Sequence, residues 1–142
     1  MDAVQTIRTA ASEFNAGFGD EAARERYFDY YAEDVRLHGY PPGVEGREGA
    51  KAFYGSLWAA LSDGSIEVHD VIADGDRAAA RLTLRGTHDR GELMGVPPSG
   101  ARVEVDAQSF FAFDGDGRIA ERWQSLDALT LLTQIGAIPA PA

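Results

Sequence analysis

The chain has 142 residues, of which 44% are hydrophobic and 25% charged, the make-up expected of one soluble domain, spanning 1–142, with one core. A net charge of −10, with no cluster of Lys and Arg, argues against nucleic acid as a partner and disfavours an anionic membrane surface. Cysteine is absent, which removes thiol nucleophiles, disulfides and thiolate metal sites.

The N-terminal stretch lacks the basic and apolar regions of a signal peptide, and no apolar run approaches the roughly 20 residues that span a bilayer. A cytoplasmic location is therefore expected. Val4, Ile7, Ala11 and Phe14 recur at helical spacing and predict a helix over Ala3–Ala16, stopped by Gly17. Asp20 N-caps a second predicted helix that runs to about Tyr31 and carries Tyr27 and Phe28. A short strand, Asp34–His38, leads into the rigid turn Gly39–Gly43 with its two prolines. A third helix covers roughly Arg47–Leu61, with Ala50, Phe53, Leu57 and Ala60 as its apolar stripe and Ser62–Gly64 as its stop. Lys51, the only lysine, points to water, so Schiff-base chemistry is not expected.

From there the pattern is that of a sheet. Ser65–Ala73 and Arg77–His88 form one hairpin, and Arg102–Phe113 and Arg118–Leu126 another, each around an Asp/Gly turn. A last helix runs Asp127–Ile135, N-capped by Asp127 and closed by Gly136, before a tail containing Pro139 and Pro141. Helices followed by antiparallel strands predict an α+β fold with helices on one face of a curved sheet.

Strand alternation sorts the candidate site residues by face. Val103, Val105, Ala107, Ser109, Phe111 and Phe113 share the apolar side of the long strand. Ala107 and Ser109 are small, leaving either room for a ligand or space for a closely packed helix. Ile66, Val68, Asp70 and Ile72 share a register, which makes Asp70 a carboxylate in an apolar row. Desolvation there raises a carboxyl pKa toward neutrality, the tuning a general base needs. The alternative is an Asp paired with Arg81 or Arg85. His88 ends the apolar row of the next strand, as a base or as a hydrogen-bonded structural residue. His38 precedes Tyr40 and reaches a site only if the turn folds over it, whereas His69 is read as facing water. Arg122 and Gln124 alternate with Trp123 and share a face; Arg122 could equally pair with Glu121 or Asp70. Tyr27, Tyr31, Phe53 and Trp58 line a cavity or fill the core. The three histidines lack metal-ligand spacing, so no metal is expected, and no P-loop, G-x-S-x-G or G-x-G-x-x-G occurs in the required context. Acid–base work or binding without chemistry remains.

The stretch Gly86-Thr-His-Asp-Arg-Gly-Glu-Leu-Met-Gly-Val-Pro-Pro-Ser-Gly100 is a glycine-framed loop with an apolar Leu93–Met94 tip and a rigid Pro97–Pro98 pair. After the long strand come Asp114-Gly-Asp-Gly-Arg-Ile-Ala-Glu-Arg-Trp123 and the Asp127–Gly136 helix. This order resembles the SnoaL-like polyketide cyclase family, whose members share an α+β cone with nuclear transport factor 2 and ketosteroid isomerase. The resemblance runs from Phe14 to Gly136. It implies a cofactor-free intramolecular aldol closure of an aromatic polyketide ester in an apolar pocket, and pairing of two copies through the outer sheet face. The family's base is an Asp on the last strand, helped by Gln and His on the long strand. Aligning the Gly117-Arg118-Ile119 turn puts that Asp at Gln124. Aligning the prolines puts the Gln and His at Ala107 and Ser109, or, one residue slipped, at Gln108 and Phe110. An amide does not abstract protons.

The expectation is therefore a cyclase or isomerase with Asp70 or His88 as base and Gln124 and Arg122 as hydrogen-bond donors to the enolate. Its substrate contacts are expected at His38, Tyr40, Trp58, Met94, Ser109 and Phe111. The competing expectations are a non-catalytic binding or oxygenase-accessory protein, and a hydrolase that opens an epoxide through Asp70 and Asp127.

Overall fold

The computed structural model describes residues 1–140. In chain order the elements are α1 (Ala3–Ala16), α2 (Glu21–Phe28), β1 (Tyr31–His38), α3 (Gly46–Ala60), β2 (Leu61–Asp74), β3 (Arg77–His88), β4 (Arg102–Phe113), β5 (Ile119–Leu126) and α4 (Ala128–Gln134). The strands form one open, curved sheet in the order β1-β5-β4-β3-β2. Only the β1–β5 pair is parallel. This is the expected α+β cone, with α1, α2 and α3 across the concave face.

Local chemistry accounts for the helix starts. Asp2 accepts from the Gln5 amide at 2.8 Å and the Gln5 side chain accepts from the Asp2 amide at 3.2 Å, a capping box that satisfies two otherwise free donors. Asp20 caps α2 and Asp127 caps α4. The second helix stops at Phe28, earlier than its periodicity suggests. The Ile119 amide donates to the Tyr30 carbonyl at 2.8 Å, and Tyr31 pairs with Ile119. Strand pairing with β5 has displaced the last helical turn. Likewise Ser62–Gly64 continue β2 instead of ending a helix, because Leu61 and Ser62 pair with His88 and Thr87.

The long strand alternates as its sequence requires, with Val103, Val105, Ala107, Ser109, Phe111 and Phe113 all buried. In β2 the alternation breaks. Val68 pairs with Leu82, but Asp70 pairs with Arg81, so one residue bulges between them. Val71 packs against the core while Ile72 is left 74% exposed.

The core under the helices is aromatic. The Phe14 ring lies 5.3–5.8 Å from those of Phe18, Tyr27, Tyr54 and Trp58, three of the four contacts edge-on. The Trp58 indole donates to the Phe14 carbonyl at 3.0 Å, tying α3 to α1. No helix among the described residues is long and apolar enough to cross a membrane.

Candidate functional site

Helices, sheet and the β3–β4 loop enclose a cavity of about 560 Å³, a size that suits a multi-ring small molecule. Its walls are apolar: Phe53 and Leu57 from α3, Leu82 and Leu84 from β3, and Leu93 and Met94 from the loop tip. Ala107 also lines it, so of the two small β4 residues this one makes room. Ser109 is instead occupied by a protein partner, described next.

One polar cluster lies at the base. Alternation on β5 turns Arg122 and Gln124 inward, opposite Phe111 and Ser109 of β4. Arg122 is 6% exposed. Its Nη1 donates to the Tyr31 hydroxyl at 2.6 Å, its Nη2 to Ser109 and to Gln124 Oε1 at 3.1 Å each, and its Nε to Ser109 at 3.3 Å. The guanidinium carbon stands 4.8 Å from the Phe111 ring centre and 5.6 Å from that of Tyr54, within cation–π range. Tyr31 and Tyr27 share a hydrogen bond of 2.7 Å, and Tyr40 and Tyr54 one of 2.6 Å. Both hydroxyls of the second pair approach Gln124 Oε1, at 3.5 and 3.4 Å. Burial pushes the Tyr27, Tyr40 and Tyr54 phenols upward, so they remain neutral hydroxyls at neutral pH. Burial disfavours the Arg122 charge, and the neutral hydroxyls and amide around it solvate that charge by hydrogen bonds without cancelling it.

Tyr40, Met94, Arg122 and Gln124 are thus brought together at the cavity, with Ser109 and Phe111 directly behind Arg122. The other candidates lie elsewhere. The expected apolar setting of Asp70 is corrected: its side chain is 62% exposed and pairs with Arg81 at 2.8 Å, because the bulge turns it out. His88 is fully buried and does not line the cavity. Its Nε2 is 2.8 Å from the Gly91 carbonyl, which can only accept, so Nε2 carries the proton and Nδ1 accepts from Ser99 at 2.9 Å. This histidine pins the loop to its strand. His38 is on the outer face, stacked on Trp123 at 5.1 Å with its Nε2 2.7 Å from Glu121, because β1 extends through it and alternation turns it outward. Trp58 belongs to the aromatic core. His69 is not simply solvated; its Nε2 meets the buried Thr83 hydroxyl at 2.6 Å. Arg122 pairs with neither Glu121, which points out to Arg36 at 2.7 Å, nor Asp70.

Gln108 is exposed and Phe110 is 59% exposed on the outer face, so Ala107 and Ser109 are the inward pair. A water-activating hydrolase needs two carboxylates at the cavity. Asp70 and Asp127 both lie outside its lining, Asp127 capping Thr130 at 2.6 Å. Among the described residues no three of His, Asp or Glu converge as metal ligands. Tyr54 was absent from the sequence-derived site. Its signal lay in a second row on α3, Ala50, Tyr54 and Trp58 at i, i+4, i+8, all buried.

An open, mostly antiparallel sheet curled under helices around an apolar hollow defines a nuclear transport factor 2-like cone. The model of the SnoaL-like polyketide cyclase family matches residues 5–135, and the chain belongs to that family. Among solved structures it is similar to TsrD from Streptomyces laurentii, with 29% identity, a TM-score of 0.80, and 97% of this chain and 99% of that one covered. It is also similar to IdmH from Streptomyces antibioticus, a proposed polyketide cyclase, with 32% identity, a TM-score of 0.76 and coverage of 96% and 99%. AclR from Streptomyces galilaeus, a proposed hydroxylase, shares 25% identity with a TM-score of 0.76 over 99% of this chain and 87% of that one. Comparison with curated proteins gave no match.

Proposed function

We propose that the protein is a cofactor-independent enzyme of the cyclase or isomerase type, acting on a polyketide-like or other polycyclic apolar molecule held in the cone. The observation that carries this reading is the convergence of Arg122, Gln124, Tyr40 and Tyr54 at the base of an otherwise apolar cavity. Such donors, aimed where charge develops, stabilise an enolate or alkoxide oxygen in a dry site. A C–H flanked by two carbonyls gives up its proton to solvent water at the cavity mouth as the molecule binds, and these donors hold the resulting enolate. The enolate carbon then bonds to the acceptor carbonyl carbon, whose oxygen takes up a proton from water. Enclosure holds the reacting carbons together.

Incubation with linear and tricyclic aromatic polyketide esters, read by mass spectrometry and chromatography, tests this. Cyclised product is expected, and Arg122→Met should lower kcat by about a hundredfold, the scale of one lost oxyanion donor. Unchanged turnover in that variant contradicts the assignment.

A second reading is a carrier or an oxygenase-accessory protein of the same fold. It is favoured by the lining itself, which contains no Asp, Glu or His among the described residues. Equilibrium binding of the same esters with no turnover would select it. Pairing of two copies through the outer sheet face belongs to either reading. Phe110 stands exposed there against Trp123, among the polar Arg102, Glu104 and Asp106. Sedimentation of a monomer alone at micromolar concentration would contradict it.

A further inference from the structure

Arg122 is a buried cation without a counter-ion among the described residues. The chain has 23 acidic side chains, yet none lines the cavity, and among the described residues none pairs with this guanidinium. Every acceptor around it is neutral: the hydroxyls of Ser109, Tyr27 and Tyr31 and the amide oxygen of Gln124. These groups satisfy hydrogen bonds but do not cancel charge. Buried charges in proteins are ordinarily paired, and the ring faces of Phe111 and Tyr54 offer only partial compensation. Apart from Arg122, the lining carries no ionised side chain.

The position of Gln124 Oε1 shows where a ligand oxygen fits. That oxygen receives Arg122 Nη2 at 3.1 Å and is approached by the Tyr54 and Tyr40 hydroxyls at 3.4 and 3.5 Å. Gln124 Nε2 has no protein partner among the described residues and is accessible. Rotation of the amide frees this position, where Arg122 Nη2 and one proton of the Tyr40–Tyr54 pair can donate to an incoming oxygen, and turns the Nε2 donors toward a second one.

Resting on the reading of the cavity as the small-molecule site, we propose that its ligand is an apolar molecule bearing a two-oxygen anion, a carboxylate or the enolate of a 1,3-dicarbonyl, which Arg122 neutralises. In low-dielectric surroundings the attraction is far stronger than in water; Arg122 Nη2 takes one oxygen and Gln124 Nε2 the other, since the remaining guanidinium donors are held by Ser109, Tyr27 and Tyr31. A substrate that arrives as its enolate brings its carbon already deprotonated, and the cavity then needs no base of its own.

The test is equilibrium binding of two matched pairs of probes to the full chain at neutral pH. Anthracene-2-carboxylate is compared with anthracene-2-carboxamide, and 2-phenylindane-1,3-dione, ionised at this pH, with its non-ionisable 2-methyl derivative. At least one anion should bind about tenfold or more tightly than its neutral partner, and the pair that shows the preference identifies the anion's source. Arg122→Met should bring that ratio to about one while the neutral partner binds within about threefold of the wild type. Gln124→Glu, which places a carboxylate beside Arg122, should also abolish the preference if Arg122→Met does not fold, as read by circular dichroism. Equal affinity for charged and neutral partners in the wild type overturns the inference and leaves the cavity reading standing. A preference that survives in either variant overturns the role given to Arg122. Failure of all the probes to bind overturns the cavity reading as well.

Discussion

Asp70 and His88 have the chemistry of a general base, but their surroundings differ from those at the base of the cone. A carboxylate 62% exposed and paired across the sheet with Arg81 gains little from its partner, because water and salt screen the pair. Asp70→Asn should therefore leave both the urea midpoint and the probe affinity unchanged within error; a clear loss of binding would return Asp70 to the site. His88 is the opposite case. Replacing it with Ala leaves the Gly91 carbonyl and the Ser99 hydroxyl without their buried partner. A loss of about 2–3 kcal/mol is expected by urea denaturation. An unaltered midpoint would show that the loop does not depend on it. Arg122 and Gln124 were legible as inward neighbours from alternation alone. Tyr54 was not, because the more obvious stripe on α3, Phe53 and Leu57, also faces the cavity and masks the row beside it.

At the scale of elements, the site depends on how β1 ends against β5. Gly39 follows β1 with φ of +82°, and a Cβ there would overlap the carbonyl oxygen of Gln124. The chain can then turn to present Tyr40 to the Gln124 side chain only if residue 39 is glycine. Gly39→Ala should cost about 2 kcal/mol or more in stability and weaken probe binding alongside it. A variant as stable as the wild type, by thermal and urea unfolding, would contradict this. β2 carries the complementary lesson. Its residues alternate well enough to place Asp70 with Ile66 and Val68. The bulge after Val68 is set by pairing with β3, and a one-residue slip exchanges the faces of everything beyond it.

At the scale of the molecule, acidity lies on the outside and the unpaired cation within. Three surface carboxylates are held below their ordinary values: Glu67 by Arg85, Glu121 by Arg36 and His38, and Asp127 by Thr130. A carboxylate with a lowered folded-state pKa contributes stability that is present above its unfolded value and lost as pH falls through the folded one. The urea midpoint should thus hold level down to about pH 5 and decline below the ordinary carboxylate values of 4.5 for Glu and 3.8 for Asp. Glu121→Gln should make that decline shallower, and an identical acid profile would remove its part. The α+β order of elements, the caps at Asp20 and Asp127, the inward row of β4 and the family were all determined by the sequence alone, since each rests on spacing along one segment. Only the tertiary structure decided that the cavity's charge is Arg122's, unpartnered. That outcome depends on Tyr40 after β1, Tyr54 on α3 and Gln124 on β5 meeting at one point, and on every acidic side chain being turned away. No single segment encodes such a meeting, because packing between distant elements, not local periodicity, brings these groups within hydrogen-bond reach.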